Sequence, residues 1–199
     1  MTIPGPASDS ALSPRLALES LVVDNPDLER LETLLGQFNI FKALGAVRVE
    51  ARHSGFLGFL LDPQKNHGLG DAFARRLYER VLQRHQDRQG LVSPIDLDVW
   101  DMTGADVRRE WQNIDILFED QENKFVALIE NKVGSGEHSG QLKRYLDTIE
   151  RHYREWRVLA IFLTPDGDDP SEGAFLPLDY STVCSVVASQ AWWGPLQVA

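Results

Sequence analysis

The sequence predicts an α/β fold in which helices flank a central sheet, in the order helix, three strands, helix, strand. Three observations predict it. Residues 113–119 and 124–132 are two stretches rich in Ile, Val, Leu and Phe, and residues 120–123 between them suit a turn. Residues 157–164 (RVLAIFLT) form a near-continuous apolar run, the pattern of a strand buried on both faces. Before and between these runs, apolar residues recur at helical spacing, as in Phe73, Leu77, Tyr78, Val81 and Leu82.

Taken in order, residues 1–14 are rich in Pro, Gly and Ser and read as a disordered segment or linker. Residues 15–199 read as a single domain, with a helical part over 15–92 and a sheet core over 93–199. An N-terminal helical extension is expected over 26–44, capped by Asn25, with Pro26 at its first position and Gly45 as its stop. Residues 47–61 read as a second helix, ended by Asp62-Pro63, with Phe56, Leu57, Leu60 and Leu61 on its apolar face. Asp71 is expected to cap a third helix over 72–85. Arg76, Arg80, Arg84 and Arg88 recur there every four residues, as either a phosphate-contacting ridge or a solvated face.

Residues 95–100 read as the first strand, and residues 108–111 lead into the next. The glycine-rich loop 134–140 turns the chain into a helix over 138–152 or lets a nucleic-acid backbone approach. Ser181 is expected to cap a last helix that buries Val183, Val186, Val187 and the single cysteine, Cys184. His53 and His67 read as structural, since no Cys/His cluster has zinc-ligand spacing. Trp192-Trp193 either packs on the core or forms an interface.

The hairpin carries the chemistry. With Glu122-Asn123 as a two-residue loop, Glu119 faces Val126, Leu117 faces Leu128 and Asp115 faces Glu130. Such neighbours have Cβ atoms roughly 4.5–5.5 Å apart. Lys132 shares a face with Glu130, two residues before it. Like charges directly opposite destabilise a sheet, and a divalent cation with the lysine beside it would compensate.

Asp115 followed by Glu130-Asn131-Lys132 resembles the D…(E)xK signature of the PD-(D/E)XK nuclease superfamily, and Gln141 with Tyr145 resembles the QxxxY element of RecB-type nuclease domains. The wider text, HSGFLGFLLDP, NHGLG and IENKVGSGEHSGQLKRY, is similar to one bacterial branch of that superfamily, over about residues 50–164. The resemblance implies a restriction-endonuclease-like αβββαβ core with a mixed central sheet. It implies Asp115, Glu130 and the main-chain carbonyl of Asn131 as ligands of Mg²⁺ (or Mn²⁺). Glu50 is the matching candidate for a helix carboxylate that completes the metal site; the bland reading is a solvated residue or a partner of Arg48 or Arg52. Lys132 would orient or help deprotonate the attacking water. Gln141 would bond a water at the metal or orient Lys132, and Tyr145 would position Gln141 or only pack.

The function these residues imply is metal-dependent hydrolysis of phosphodiester bonds, with DNA as the expected nucleic-acid partner and phage defence as the expected setting. The alternative is a catalytically silent nuclease-fold subunit that binds a protein or nucleic acid in a larger complex. A homo-oligomer or a larger defence complex is the expected assembly, and a third reading is an active nuclease subunit whose partners supply the basic DNA-binding surface. The net charge of −10 and pI near 4.9 argue against a generic nucleic-acid binder, because such affinity comes mostly from Lys and Arg. No basic residue follows Arg157, so the acidic excess is concentrated at the C-terminal end. One cysteine suits a reducing cytoplasm, and no apolar run approaches the ~18 residues of a membrane span.

Overall fold

The computed structural model describes residues 50–85, 92–134, 136–137 and 139–189. The expectations for residues 1–14, the helix over 26–44, Arg88, His138 and Trp192-Trp193 lie outside them. All described residues fall in the unit Ala46–Ala199.

Helices α1 (Glu50–Leu61), α2 (Ala72–Arg84) and α3 (Pro94–Val99) precede strands β1 (Asp106–Trp111), β2 (Ile114–Asp120) and β3 (Phe125–Asn131). Helix α4 (Gln141–His152), strands β4 (Arg157–Thr164) and β5 (Phe175–Asp179), and helix α5 (Tyr180–Ser189) follow. The sheet order is β1-β2-β3-β4-β5; the first three strands are antiparallel, while β3, β4 and β5 run parallel. The sheet is therefore mixed, with α4 as the crossover between two parallel strands.

The expected register of β2 on β3 is observed, with Leu117 opposite Leu128 and Glu119 opposite Val126. The loop is longer than expected: the last pair is Asp120 with Phe125, which leaves residues 121–124 in the turn. The Asp120 carboxylate accepts the N–H groups of Glu122 and Asn123 and an Asn123 side-chain N–H. Adding one residue to each side of a loop leaves the pairing unchanged, so the register survives.

Alternation along the strands divides the core. Ile116, Phe118, Ala127 and Ile129 pack with α1, α2 and α5 on one face. Leu117, Val126, Leu128, Phe162 and Phe175 pack with Leu142, Tyr145 and Ile149 of α4 on the other. On α2, Arg84 pairs with Asp179, which ties this helix to the end of β5; Arg76, Arg80 and Arg84 are all exposed.

Several expectations are corrected. Residues 95–100 are not a strand; Pro94–Val99 is a helix. Its alternating Ile95-Asp96-Leu97-Asp98-Val99 mimics strand periodicity, but Ser93 and Asp96 form a capping box around Pro94 at the first turn. Only Leu97 is buried, and Ile95 is 76% exposed. The first strand is instead Asp106–Trp111. Strand β5 was not anticipated, because Pro177 breaks the strand pattern; an edge strand tolerates it.

Asp71 occupies the N-cap position of α2, but its carboxylate accepts from Arg75 and the Met102 N–H rather than from the helix end. At α5 it is Asp179, not Ser181, whose carboxylate accepts the Thr182 N–H. Helix α4 begins at Gln141 after Gly140, which has φ 67°. Phe56 and Cys184 are exposed rather than buried.

Candidate active site

The site forms where β2, β3, α1 and α4 meet. Strand β3 delivers Glu130 and Asn131, and the chain continues into Lys132 and Val133. The β2–β3 ladder ends at Ile116 opposite Ile129, one position short of the expected Asp115–Glu130 pair. At that position the Asp115 carboxylate itself accepts the Asn131 N–H, at 2.8 Å. A side chain thus replaces a backbone acceptor and lies against the Glu130-Asn131 peptide.

Glu130 Oε1 is the hub. It lies 2.9 Å from Lys132 Nζ and accepts from Gln141 Nε2 at 2.8 Å. Gln141 Nε2 also donates to the Tyr145 hydroxyl at 2.7 Å, and that hydroxyl donates to the Asn113 carbonyl at 2.5 Å. Gln141 and Tyr145 face the same way because they are four residues apart on α4. From α1, Glu50 Oε1 accepts the Val133 N–H at 3.1 Å. Asp115, Glu130, Lys132, Gln141, Tyr145 and Glu50 are therefore brought to one place.

Asn131 enters differently. Its side chain turns to the opposite face, donating to Ser54 Oγ at 3.0 Å and accepting from the Tyr180 hydroxyl at 2.7 Å. Only its main chain is left to face the carboxylates.

A family model described as the PD-(D/E)XK nuclease superfamily matches residues 38–190. The chain belongs to the PD-(D/E)XK nuclease superfamily. No curated protein and no solved structure matches it. Members of the superfamily generally hydrolyse phosphodiester bonds and typically use divalent metals, so nucleic acid is the implied substrate and nuclease activity the implied function. No described helix is long and apolar enough to cross a membrane.

In this PD-(D/E)XK chain the carboxylates are held under electrostatic tension. Burial raises the Glu130 pKa to about 7, the charge of Asp115 adds to the rise, and Lys132 opposes it. Asp115 is raised too, by burial first, against the stabilising Asn131 N–H and Lys132. Burial alone would lower Lys132, but its bond to Glu130 and the negative charges of Glu130, Glu50 and Asp115 outweigh this, so it holds its proton more tightly than usual.

Within the site two buried oxygens, Glu130 Oε2 and Gln141 Oε1, have no hydrogen-bond partner. Both are acceptors, so what they lack is a donor or a cation. Among the described residues no group of three or more His, Cys, Asp or Glu side chains is gathered to hold a metal alone. That donor set fits a hard cation that keeps part of its water shell and needs only one or two carboxylates. Glu130 and Asp115, with the Asn131 carbonyl and Glu50 near, are the groups that would hold it.

Ser54 and Tyr180 were not anticipated. Ser54 lies one turn after Glu50, a spacing that in retrospect puts both toward the end of β3. Tyr180 carries no local signal, since its role depends on a strand that sequence did not disclose. His67 is structural: its Nε2 lies 2.8 Å from the Asp62 carbonyl and its Nδ1 accepts the Leu69 N–H. The ring of His53 meets that of Tyr180 edge-on, with centroids 5.6 Å apart.

Proposed function

We propose that this chain is a Mg²⁺-dependent nuclease, with Mn²⁺ as a substitute, that hydrolyses phosphodiester bonds in DNA. The observation that carries the reading is Glu130, buried beside Asp115, bonded by Lys132 and Gln141, and left with one unpartnered oxygen. A buried carboxylate beside a half-buried one in that state is an incomplete charge arrangement, and a dication completes it.

Asp115 and Glu130 are the ligands in this reading, with the Asn131 carbonyl and Glu50 as further donors. When bound, the ion polarises the phosphate and lowers the pKa of water. The negative charges around Lys132 favour its protonated form in the metal-free protein, and in this reading it serves as a donor and point charge toward the attacking water and the developing charge on phosphate. Gln141 fixes Glu130 through its N–H and presents its free Oε1 to a water hydrogen. Tyr145 is a positioning residue: it locks the Gln141 amide through the Asn113 carbonyl. The choice of DNA, the affinity with RecB-type domains and the placement in antiviral defence rest on the sequence resemblance, and the cytoplasmic setting rests on the single cysteine.

Two observations favour a second reading. The chain carries a net charge of −10, and no three-carboxylate metal cluster exists among its described residues. A silent subunit in a larger complex would share both features. A cleavage panel separates the two: circular, linear and single-stranded DNA and RNA, with Mg²⁺, Mn²⁺ or EDTA, for the wild type and Lys132→Ala. The enzyme reading expects metal-dependent cutting that Lys132→Ala abolishes with folding intact. Undiminished cutting by that variant would refute the role given to Lys132. No cutting and no Asp115-dependent metal binding by calorimetry would favour the silent subunit.

A further inference from the structure

We propose that the groove between the β1–β2 turn and α4 seats the sugar–phosphate backbone of the substrate next to the phosphate being cut. The proposal rests on the nuclease reading and extends it to a surface of this chain. The groove has a volume of about 470 Å³, and Gln112, Asn113, Arg144, Tyr145, Thr148 and Arg151 line it. It opens directly off the site: Gln141 also lines it, and Tyr145 bonds Gln141 on one side and the Asn113 carbonyl on the other.

The charge pattern singles this groove out. In an acidic protein, several basic residues near the sheet are spent on the fold: Arg75 pairs with Asp71, Arg84 with Asp179, Arg108 with Glu119 and Lys132 with Glu130. Arg144 and Arg151 are exposed and pair with no acidic group among the described residues. Arg144 donates only to the Ser139 carbonyl, and Arg151 only to the Asp147 carbonyl and the Thr148 hydroxyl. One acid, Asp147, shares the lining, so the wall remains net positive.

The other side of the site is the reverse. The cavity beside Lys132 is walled by Glu137, Asp166, Asp168 and Asp169, which repel phosphate. A polyanion lying across the site is thus drawn to the Arg144 side. Seven residues separate the two arginines, two helical turns or about 10.5 Å. Backbone phosphates advance by roughly 3.4 Å per nucleotide along a duplex strand, so the two guanidinium groups reach different phosphates.

The turn that forms the facing wall is built at a conformational cost. Gln112 and Asn113 both have positive φ, 52° and 67°, and Glu110 beside them has φ 56°. Gly is the usual residue in such positions. Instead the turn carries two exposed amide side chains, which donate hydrogen bonds of the kind that hold phosphates.

The test uses the full chain carrying Lys132→Ala, to prevent cutting, and fluorescein-labelled single-stranded and duplex DNA in an anisotropy titration from 50 to 300 mM salt. Adding Arg144→Gln and Arg151→Gln should weaken binding tenfold or more near 100 mM salt. It should also flatten the slope of log K against log salt by about 1.4 for a single strand and about 1.8 for a duplex, the value for two lost phosphate contacts. The matched pair Arg76→Gln and Arg80→Gln on α2, which packs on the opposite face of the sheet, should leave slope and affinity unchanged. Thermal melts of each variant check folding.

Unchanged affinity and slope for the α4 pair, in a protein whose wild type cuts, would overturn the groove and leave the nuclease reading standing. An equal loss from the α2 pair would overturn it as well, since the effect would be one of net charge. A wild type that neither binds nor cuts nucleic acid removes the nuclease reading and the groove together.

Discussion

Neutralising Glu130 by Glu130→Gln should change how folding stability depends on pH. In the folded, metal-free protein its carboxyl is raised from 4.5 to about 7, by burial and then by Asp115. The folded state therefore holds a proton that the unfolded chain releases between those two values. Stability from this group is fully present below about pH 4.5 and is lost as pH rises through about 7. The slope is about 1.4 kcal/mol per pH unit, and the whole window amounts to about 3 kcal/mol. The glutamine variant keeps the shape and has nothing to titrate. Urea unfolding in EDTA at pH 5, 6, 7 and 8 reads the effect: relative to Glu130→Gln, the wild type should lose about 2 kcal/mol or slightly more from pH 5 to pH 8, since part of the window lies below pH 5. Added Mg²⁺ should restore most of that loss in the wild type and none in the variant, because the ionised carboxylate is the form that holds a cation. Parallel profiles for the two proteins would refute the buried, charge-strained environment assigned to Glu130.

The same linkage gives a second expectation: Mg²⁺ or Mn²⁺ affinity measured by calorimetry should fall about tenfold per pH unit below about 7 as Glu130 takes up a proton. Replacing Gln112-Asn113 by Asn-Gly should stabilise the β1–β2 turn by about 1 kcal/mol, measured by urea midpoint, because glycine removes the left-handed strain. Phe118→Ala removes a fully buried ring that touches Tyr78 and Phe125, and should cost about 3–5 kcal/mol by the same measurement. Tyr180→Phe deletes the donor to Asn131 and should cost about 1–2 kcal/mol while leaving the far end of the sheet unchanged in hydrogen exchange.

How much of this was legible in sequence follows from how local each signal is. The β2–β3 hairpin could be read because its alternating apolar residues specify register, and an error of one residue would have flipped Glu130 away from α4. The juxtaposition of Glu130 with Lys132 and Gln141 followed from spacing of two on a strand and from the motif. Helix α3 was misread because period two over five residues is a weak signal, and the capping box outweighed it. Strand β5 was hidden by Pro177, and with it went the reason for Tyr180 to reach Asn131. The groove residues Arg144 and Arg151 were invisible for another reason: pairing of charges is decided in three dimensions, and only the fold shows which arginines remain unspent.

The bonds of Asn131 carry a consequence for how the protein comes into being. Its amide is gripped by Ser54 from early in the described chain and by Tyr180 from near its end. The stretch from Glu130 to Lys132 is therefore braced from both sides only after translation has passed Tyr180. A nascent chain still on the ribosome, or one clipped by a protease between β4 and α5, would have the acidic pair and the lysine but not the brace that aligns them. Such fragments should show weaker protection of the end of β3 in hydrogen exchange than the intact chain.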